Sequence, residues 1–278
     1  MNQPTVGILH PGSMGAAVAA CAATNATAVL WCENGRSPAS AARAEQAGLT
    51  PVPTLCELLD RSDIVISLCP PAAAEEVARE VAGHAFTGTY VEANAISPEK
   101  AERIADLLRS AATIVDGAVV GSPPVGGKTP ALYLSGPTDA TAMVEAVFAG
   151  TAIRTKVLGT EVGQASALKV SYTAFQKASR VLAALATGMA RQYDVDQELL
   201  EVAARRSASY LAEPEYIPKV AARAWRWGPE LEEAADTLAA AGLPPEMLRA
   251  AASTLARWHD AKDAEISVAD ALEQLAQP

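Results

Sequence analysis

Short apolar runs alternate with longer helical stretches over the first 160 residues of the chain. Six runs have the length of buried strands, and they cover residues 6–9, 28–31, 64–68, 90–93, 113–115 and 131–134. Strands that alternate with helices at this spacing build a parallel sheet with helices on both faces. The pattern therefore predicts an α/β domain of residues 1–160 with a doubly wound parallel sheet.

The strand pattern stops after residue 160, and everything beyond it has helical spacing. Residues 162–193 form one long alanine-rich helical pattern. Stop and start signals at Pro214, Pro218, Gly228 and residues 242–245 divide the rest into shorter helices. No repeat or flexible linker separates the two halves. Residues 161–278 are therefore predicted to form an all-α domain, joined to the first domain through the long helix.

The first predicted strand leads into a loop that reads His-Pro-Gly-Ser-Met-Gly. In the Rossmann-type dinucleotide motif, one glycine lets the backbone approach the pyrophosphate and a later one lets the helix pack closely on the strand. Gly12 and Gly15 fill these positions, whereas His10 stands where the motif has its first glycine and Pro11 offers a different rigid turn. The start of the following helix also suits a phosphate. The predicted cofactor-binding residues of this loop are His10, Pro11, Gly12, Ser13, Met14 and Gly15. An ordinary turn between strand and helix is the alternative.

The end of the second predicted strand indicates which dinucleotide binds. An acidic residue there suits the ribose hydroxyls of NAD, and an arginine suits the additional phosphate of NADP. Glu33 offers the first option, whereas Asn34, Arg36 and Ser37 form a cluster of the size of a phosphate, with Arg36 as the bidentate partner. We therefore predict NADP(H) as the cofactor. The alternative is that Arg36 is a solvated turn residue.

Composition narrows the classes of partner. The net charge of −10 disfavours nucleic acid and anionic membranes, which a negative surface repels. The four cysteines never form a C-x-x-C pair and the three histidines are scattered, so no metal site is expected. The N-terminal residues lack the arrangement of a signal peptide, and no apolar run is long enough to span a bilayer. The expectation is a cytoplasmic protein.

Four stretches resemble the β-hydroxyacid dehydrogenase and imine reductase superfamily, whose members resemble phosphogluconate dehydrogenase. They are GILHPGSMGAAVA, DIVISLCPPAAAEEV, YVEANAISPEKAERIA and GQASALKVSYTAFQKASR. The resemblance covers nearly the whole chain. Within the superfamily, the chain resembles more specifically a bacterial subgroup of largely uncharacterised function, which has a phosphogluconate dehydrogenase-like helical C-terminal domain. In that subgroup a histidine-proline start of the glycine loop is usual. The resemblance implies that Cys69 and Pro70 lie along the cofactor and that Asn94 is near the nicotinamide ribose. A turn or N-cap role is the alternative for Asn94.

The substrate loop of the superfamily corresponds to residues 116–122. The serine of that loop is replaced by Val120 in this chain, which puts recognition of a substrate carboxylate by that hydroxyl in doubt. Gly121 and Ser122 remain as predicted substrate-binding residues, through a backbone N–H and a hydroxyl.

The catalytic lysine of the superfamily corresponds to Lys169. It lies in a stretch of otherwise apolar or small residues, where burial of an ammonium costs free energy or lowers its pKa. Such a lysine suits proton transfer in alcohol dehydrogenation. Ala165, Lys169, Tyr172 and Gln176 share one helical face. We predict Lys169 and Tyr172 as catalytic and Thr173 and Gln176 as substrate-binding. The alternative is that Lys169 extends to water from the helix edge.

Aromatic residues near the C-terminal part of the chain are candidates for a wall of the substrate site. They are Tyr210, Trp225 and Trp227, together with the basic residue Arg226, and core or dimer packing is the alternative. Pro229 and Glu230 stand where related dehydrogenases have a lysine-aspartate pair.

These observations together predict an NADPH-dependent oxidoreductase that transfers a hydride between nicotinamide and a small carbonyl or hydroxy substrate, with Lys169 as general acid or base. The resemblance also implies a homodimer through the helical domain. The alternatives are an imine reductase on the same fold, which Val120 favours and Lys169 disfavours, and a non-catalytic NADP-binding protein.

Overall fold

The computed structural model describes residues 3–192, 194–205, 210, 213–240 and 244–277. Residues 1–169 and 170–278 form two compact units, and the division falls inside a long helix.

The first unit is built on one eight-stranded sheet with the order β3-β2-β1-β4-β5-β6-β7-β8. The strands are β1 (Thr5–Ile8), β2 (Ala28–Cys32), β3 (Thr50–Val52), β4 (Ile64–Ser67), β5 (Thr89–Glu92), β6 (Thr113–Val120), β7 (Ala131–Ser135) and β8 (Arg154–Gly159). All neighbouring pairs are parallel except β6 and β7. The strand order reverses between β1 and β4, and an open α/β sheet binds ligands at the carboxyl ends of strands at such a point.

Helices cover both faces of this sheet. They are α1 (Ser13–Ala22), α2 (Pro38–Gln46), α3 (Leu55–Asp60), α4 (Ala74–Gly83), α5 (Pro98–Leu108) and α6 (Thr138–Phe148). One apolar cluster joins α1 and α6 to strand residues such as Ile64 and Ile66. The other joins α3, α4 and α5 to the alternate positions, such as Val65. Because successive strand residues point to opposite faces, the continuous apolar runs supply both cores. The predicted fold class is confirmed.

Two edge strands escaped the sequence pattern. β3 has three residues and contains Pro51, and none of the six residues of β8 is buried. Both lack the apolar run by which the inner strands are recognised, because an edge strand is only partly buried. A further difference concerns residues 116–120, which were predicted as a loop. They continue β6 as far as Val120 and pair with β7, so only Gly121 and Ser122 of the predicted substrate loop lie outside the strand.

The described residues of the second unit form helices joined by loops, and none of them is in a strand. This unit contains most of α7 (Gln164–Gln192), then α8 (Asp196–Ala204), α9 (Ile217–Ala221), α10 (Ala224–Ala240), α11 (Glu246–Leu255) and α12 (Val268–Ala276). The predicted break at Gly228 is wrong, since α10 runs through Gly228 and Pro229. Trp227 and Leu231 are buried in the same core as Leu248 of α11, and this packing outweighs the weak helix propensity of glycine and proline.

Candidate dinucleotide and active site

The glycine loop keeps the geometry of a dinucleotide site although its first glycine is absent. After β1, the N–H of Gly12 donates to the carbonyl of His10 at 2.8 Å, which closes the turn that the first glycine usually makes. A Cβ atom on Gly15 would overlap that same carbonyl oxygen, so only glycine allows α1 to approach β1 this closely. A Cβ on Gly12 would meet no protein atom within 4 Å. The surroundings of the two glycines therefore fit the two roles that the motif assigns to these positions.

The start of α1 carries no side-chain cap. Its first N–H groups, around Ser13 and Met14, are left without helical acceptors, as at every helix N-terminus. Backbone donors of this kind bind phosphate. The space beside Gly12 and the uncapped helix start thus fit a pyrophosphate.

The turn after β2 places the predicted phosphate-binding residues beside this loop. Gly35 has a φ of +72°, and the N–H of Arg36 donates to the carbonyl of Glu33 at 3.2 Å. Asn34 is exposed. The hydroxyl of Ser37 accepts from the N–H of Ser40 at 3.2 Å and so forms the N-cap of α2. Ser37 has a structural role that the sequence analysis did not assign to it.

Arg43 is a basic residue at this site that the sequence analysis missed. Its Nε donates to the carbonyl of Pro11 at 3.2 Å, and its Nη2 donates to the hydroxyl of Ser40 at 3.1 Å. The contact links α2 to the glycine loop. No motif marks Arg43, because its position depends on how α2 packs against α1.

His10 and Arg36 each carry a buried nitrogen without a hydrogen-bond partner among the described residues. These atoms are Nδ1 of His10 and Nε of Arg36. Burial, followed by the nearby charge of Arg36, lowers the pKa of His10 from 6.5 to about 4. At neutral pH the imidazole is therefore uncharged beside a permanent cation.

Asn94 joins the carboxyl ends of β4 and β5. Its Oδ1 accepts from the N–H of Cys69 at 2.6 Å, and its Nδ2 donates to the hydroxyl of Ser67 at 3.0 Å. The side chain is buried, whereas Pro70 is exposed at the tip of this segment. Asn94 is not an N-cap, since Ser97 caps α5. It holds the Cys69 backbone in place.

The buried carboxyl group of Glu92 lies next to Asn94. Oε1 of Glu92 accepts from the N–H of Asn94 at 3.0 Å. Oε2 of Glu92 has no hydrogen-bond partner among the described residues, and neither has the buried hydroxyl of Tyr90. Burial raises the pKa of Glu92 from 4.5 to about 8. Burial also raises the pKa of the Cys69 thiol to about 11, so this cysteine is not a nucleophile at neutral pH.

Asp116, the first residue of the predicted substrate loop, anchors the start of α7. Its carboxylate accepts from the N–H groups of Gly163 and Ser166 at 2.9 and 3.0 Å and from the hydroxyls of Ser166 and Ser135 at 2.6 and 3.2 Å. Desolvation raises its pKa although these donors favour the charged form. A fully buried carboxylate thus fixes the helix that carries Lys169.

Lys169 is half-buried and its Nζ donates to the carbonyl of Val119 at 2.8 Å. Nζ is therefore directed at the residue before Val120, the last residue of β6, which Gly121 follows. Gly121 has a φ of +128° and, like Ser122, is exposed. The structure thus brings Lys169 to the strand that leads into the predicted substrate-binding residues.

The remaining predicted residues lie further along α7. Tyr172 is 43% exposed, Gln176 is half-buried and Thr173 is buried at 3% exposure. The predicted helical face is present, because α7 is continuous from Gln164 to Gln192. Burial of Thr173 gives that residue a packing role that the sequence analysis did not assign.

The predicted aromatic wall is divided among separate environments. Trp227 is in the core of the second unit, and the centroid of its ring lies 5.4 Å from Nζ of Lys177. Lys177 also forms a buried ion pair with Glu230. Trp225 is 46% exposed and lies under Lys262. The guanidinium of Arg180 stacks on the rings of Tyr210 and Tyr216 at 4.0 and 3.9 Å and pairs with Glu213.

Comparison with known proteins assigns the class and then the family. The doubly wound sheet and its glycine loop define a dinucleotide-binding domain. Residues 5–159, more than half of the chain, match the NAD binding domain of 6-phosphogluconate dehydrogenase, and residues 190–258 match a domain of unknown function, DUF1932. The chain therefore belongs to the family defined by the NAD binding domain of 6-phosphogluconate dehydrogenase. This family lies within the β-hydroxyacid dehydrogenase and imine reductase superfamily that the sequence motifs indicated. Its class is that of the NAD(P)-dependent oxidoreductases.

Solved structures show the same fold along the whole chain. Mycobacterium tuberculosis 3-hydroxyisobutyrate dehydrogenase is 20% identical with a TM-score of 0.76, and the match covers 100% of both chains. The imine reductase from Pseudomonas sp. is 20% identical with a TM-score of 0.54, over 99% of this chain and 100% of that one. The reductive aminase from Aspergillus terreus in complex with NADPH and ethyl levulinate is 18% identical with a TM-score of 0.60, over 98% and 99%. No curated protein sequence matches. None of the described helices has the length and apolar character needed to cross a membrane.

Proposed function

We propose that this protein is an NADPH-dependent oxidoreductase that transfers a hydride between nicotinamide and a small carbonyl or hydroxy substrate, with Lys169 as general acid or base. The observation that carries the proposal is the hydrogen bond from Lys169 Nζ to the Val119 carbonyl. It directs a proton-transfer group at the loop of Gly121 and Ser122, in a domain built to bind a dinucleotide.

The cofactor preference rests on the turn after β2. Arg36 has a buried Nε with no hydrogen-bond partner in the part of the chain that the structure describes, Asn34 is exposed near it in sequence, and Arg43 adds a second cation close to the glycine loop. Two guanidinium groups favour a ribose that carries a phosphate over one with hydroxyls alone. Residues 10–15 hold the pyrophosphate in this proposal. Cys69, Pro70 and Asn94 form the edge of the site on the nicotinamide side.

The bound nicotinamide supplies or accepts the hydride. In the oxidation direction Lys169 takes the hydroxyl proton as the C–H bond breaks and the carbonyl forms, and in reduction it returns that proton to the carbonyl oxygen. Tyr172, three residues further on the same helix, assists by hydrogen bonding. Ser122, the N–H of Gly121, and Gln176 orient the substrate, with Thr173 supporting them from the helix.

Imine reduction is the second candidate, because Val120 offers no hydroxyl for a substrate carboxylate. Imine reductases and reductive aminases also share the fold. A carbonyl substrate and an imine substrate differ in whether the protonated product atom is oxygen or nitrogen, so assays with matched ketones and cyclic imines separate the two candidates.

We further propose that the protein forms a homodimer through its helical domain. Phe175 is 71% exposed on α7 next to Tyr172, and Val202 is 57% exposed on α8. Apolar side chains of this size at a surface favour an interface. Sedimentation equilibrium of the wild type and of Phe175→Glu tests this, and a monomeric wild type contradicts it.

Arg36→Ala tests the cofactor proposal. We expect the Kd of NADPH, measured by quenching of tryptophan fluorescence, to rise about 10-fold to 100-fold, which corresponds to roughly 1.5–3 kcal/mol for a charged hydrogen bond. The Kd of NADH should stay within about two-fold, since it has no 2′-phosphate. Arg109→Ala, at an exposed arginine of α5's C-terminal end, is the matched control. Equal losses for both cofactors contradict the assignment.

Lys169→Ala tests the catalytic role. We expect kcat to fall at least about 100-fold because the proton transfer loses its acid or base, while the Kd of NADPH and the melting temperature stay near those of the wild type. Lys156→Ala removes an exposed lysine from β8 and is the control. Loss of folding in Lys169→Ala, with activity restored by stabilising conditions, would assign Lys169 to structure instead.

A further inference from the structure

We propose that the imidazole of His10 is a ligand of the adenosine ribose, so that Nδ1 of His10 binds a ribose hydroxyl while Nε of Arg36 binds an oxygen of the neighbouring 2′-phosphate. The inference rests on the proposed use of NADPH and adds a binding residue for the part of the cofactor that NADPH and NADH share.

The backbone of His10, and not its side chain, does the work of the missing glycine. Its carbonyl closes the turn with the N–H of Gly12 and limits the approach of α1 at Gly15. A small or flexible residue at position 10 would serve this turn equally well. The imidazole must therefore be explained by another contact.

The side chains of His10 and Arg36 present two buried nitrogens that need partners. Neither Nδ1 of His10 nor Nε of Arg36 has a hydrogen-bond partner among the described residues. A buried polar atom that stays unpaired costs free energy, and most such atoms in folded proteins are paired. The positive charge of Arg36 acts on the His10 imidazole, which indicates that the two side chains are near each other. One polar ligand can therefore pair with both.

The place in the fold identifies this ligand. Residues just after β2 contact the adenosine ribose in sheets of this type, and His10 and Arg36 follow β1 and β2. Arg36 Nε is always a donor and pairs with an anionic oxygen. A neutral imidazole nitrogen donates or accepts, and a ribose hydroxyl can do the same. A phosphorylated ribose offers both groups on adjacent carbons.

The charge state of His10 suits a hydroxyl partner. Its pKa of about 4 keeps it neutral beside Arg36 at physiological pH. A neutral ring adds no second cation for the phosphate, so its contribution is the same for NADPH and NADH. This separates His10 from Arg36, whose contribution depends on the phosphate.

The test is a set of substitutions at position 10 with Kd measured for NADPH and for NADH. His10→Leu fills a similar volume without a nitrogen, and His10→Ala is a second variant in case leucine perturbs folding. We expect each to raise both Kd values by about the same factor, roughly 5-fold to 20-fold, as for one lost neutral hydrogen bond. His10→Asn places an amide where Nδ1 lies and should recover most of the affinity. His84→Leu, at an exposed histidine away from the loop, is the control.

Each outcome has a distinct meaning. Unchanged Kd values in folded His10→Leu or His10→Ala overturn the inference and leave the proposed function intact. A loss confined to NADPH also overturns it, because His10 would then contact the phosphate. A wild-type protein that binds neither dinucleotide overturns the proposed function itself. Melting temperatures of the variants without cofactor separate lost binding from lost folding.

Discussion

At the scale of single residues, the two glycines of the loop occupy their positions for different physical reasons. Gly15 is required because a backbone carbonyl occupies the space of its side chain, whereas Gly12 borders open space. The φ of Gly12, −71°, is accessible to any residue. Within the described protein nothing requires a glycine at position 12, whereas a ligand bound in that space would require one. Substitutions at Gly15 and Gly12 therefore test folding and cofactor binding separately.

Alanine at each glycine tests this separation. We expect Gly15→Ala to destabilise the first unit by about 2 kcal/mol or more, because the clash is with backbone that cannot rotate away. Gly12→Ala should leave the melting temperature within about 1 °C of the wild type and weaken NADPH binding at least about tenfold, since the methyl group occupies the space of the pyrophosphate. Thermal unfolding and fluorescence titration measure the two effects. Full cofactor binding in Gly12→Ala would contradict the proposed position of the pyrophosphate.

At the scale of elements, buried charged groups hold α7 at its N-terminus and near its middle. Asp116 accepts hydrogen bonds at its N-terminus, and Lys177 pairs with Glu230 of α10. The Lys177 and Glu230 side chains are only 7% and 12% exposed. Breaking such a pair leaves one charge buried alone, whereas replacing both by apolar residues does not.

Single and double substitutions of this pair should therefore differ. We expect Lys177→Met to lower the free energy of unfolding of the helical unit by about 3–5 kcal/mol, and Lys177→Met with Glu230→Leu to recover most of that loss. Urea unfolding followed by tryptophan fluorescence measures both. Arg249→Ala is the control, since its pair with Asp236 is exposed and should contribute less than about 1 kcal/mol. Equal losses in the single and double variants would show that the charges are not coupled.

At the scale of the whole molecule, Glu92 makes stability depend on pH. Its pKa in the folded protein is about 8, above the ordinary value of 4.5, because burial penalises the carboxylate. The folded state therefore holds a proton that the unfolded chain releases. The stabilisation is complete below pH 4.5 and is lost as the pH rises towards and through 8.

Glu92→Gln should remove this dependence while keeping an oxygen acceptor for the N–H of Asn94. We expect the stability advantage of the variant over the wild type to grow by about 1.4 kcal/mol for each pH unit from pH 6 up to the folded pKa of about 8, and to level off between there and pH 9. Melting temperatures across this range test it, with Glu80→Gln at an exposed position as the control. Parallel profiles for wild type and Glu92→Gln would mean that Glu92 is charged in the folded protein.

Much of the fold and part of the site could be predicted from local pattern. The inner strands, the long helix, Gly12, Gly15 and Lys169 all carry signals in neighbouring residues. The edge strands β3 and β8 carry none, because half-exposed strands are not apolar runs. The extension of β6 to Val120 was hidden because its pairing with β7 is a long-range contact.

The sequence by itself determined the order of strands and helices, the position of the glycine loop and the family to which the chain belongs, since these depend on spacing along the chain. Only the tertiary structure decided which side chains meet. It paired Lys169 with Val119, placed Asp116 at the start of α7, brought Arg43 to Pro11 and left His10 near Arg36. These contacts join residues distant in sequence, and packing of the sheet against its helices creates the burial that shifts their pKa values and leaves polar atoms without partners.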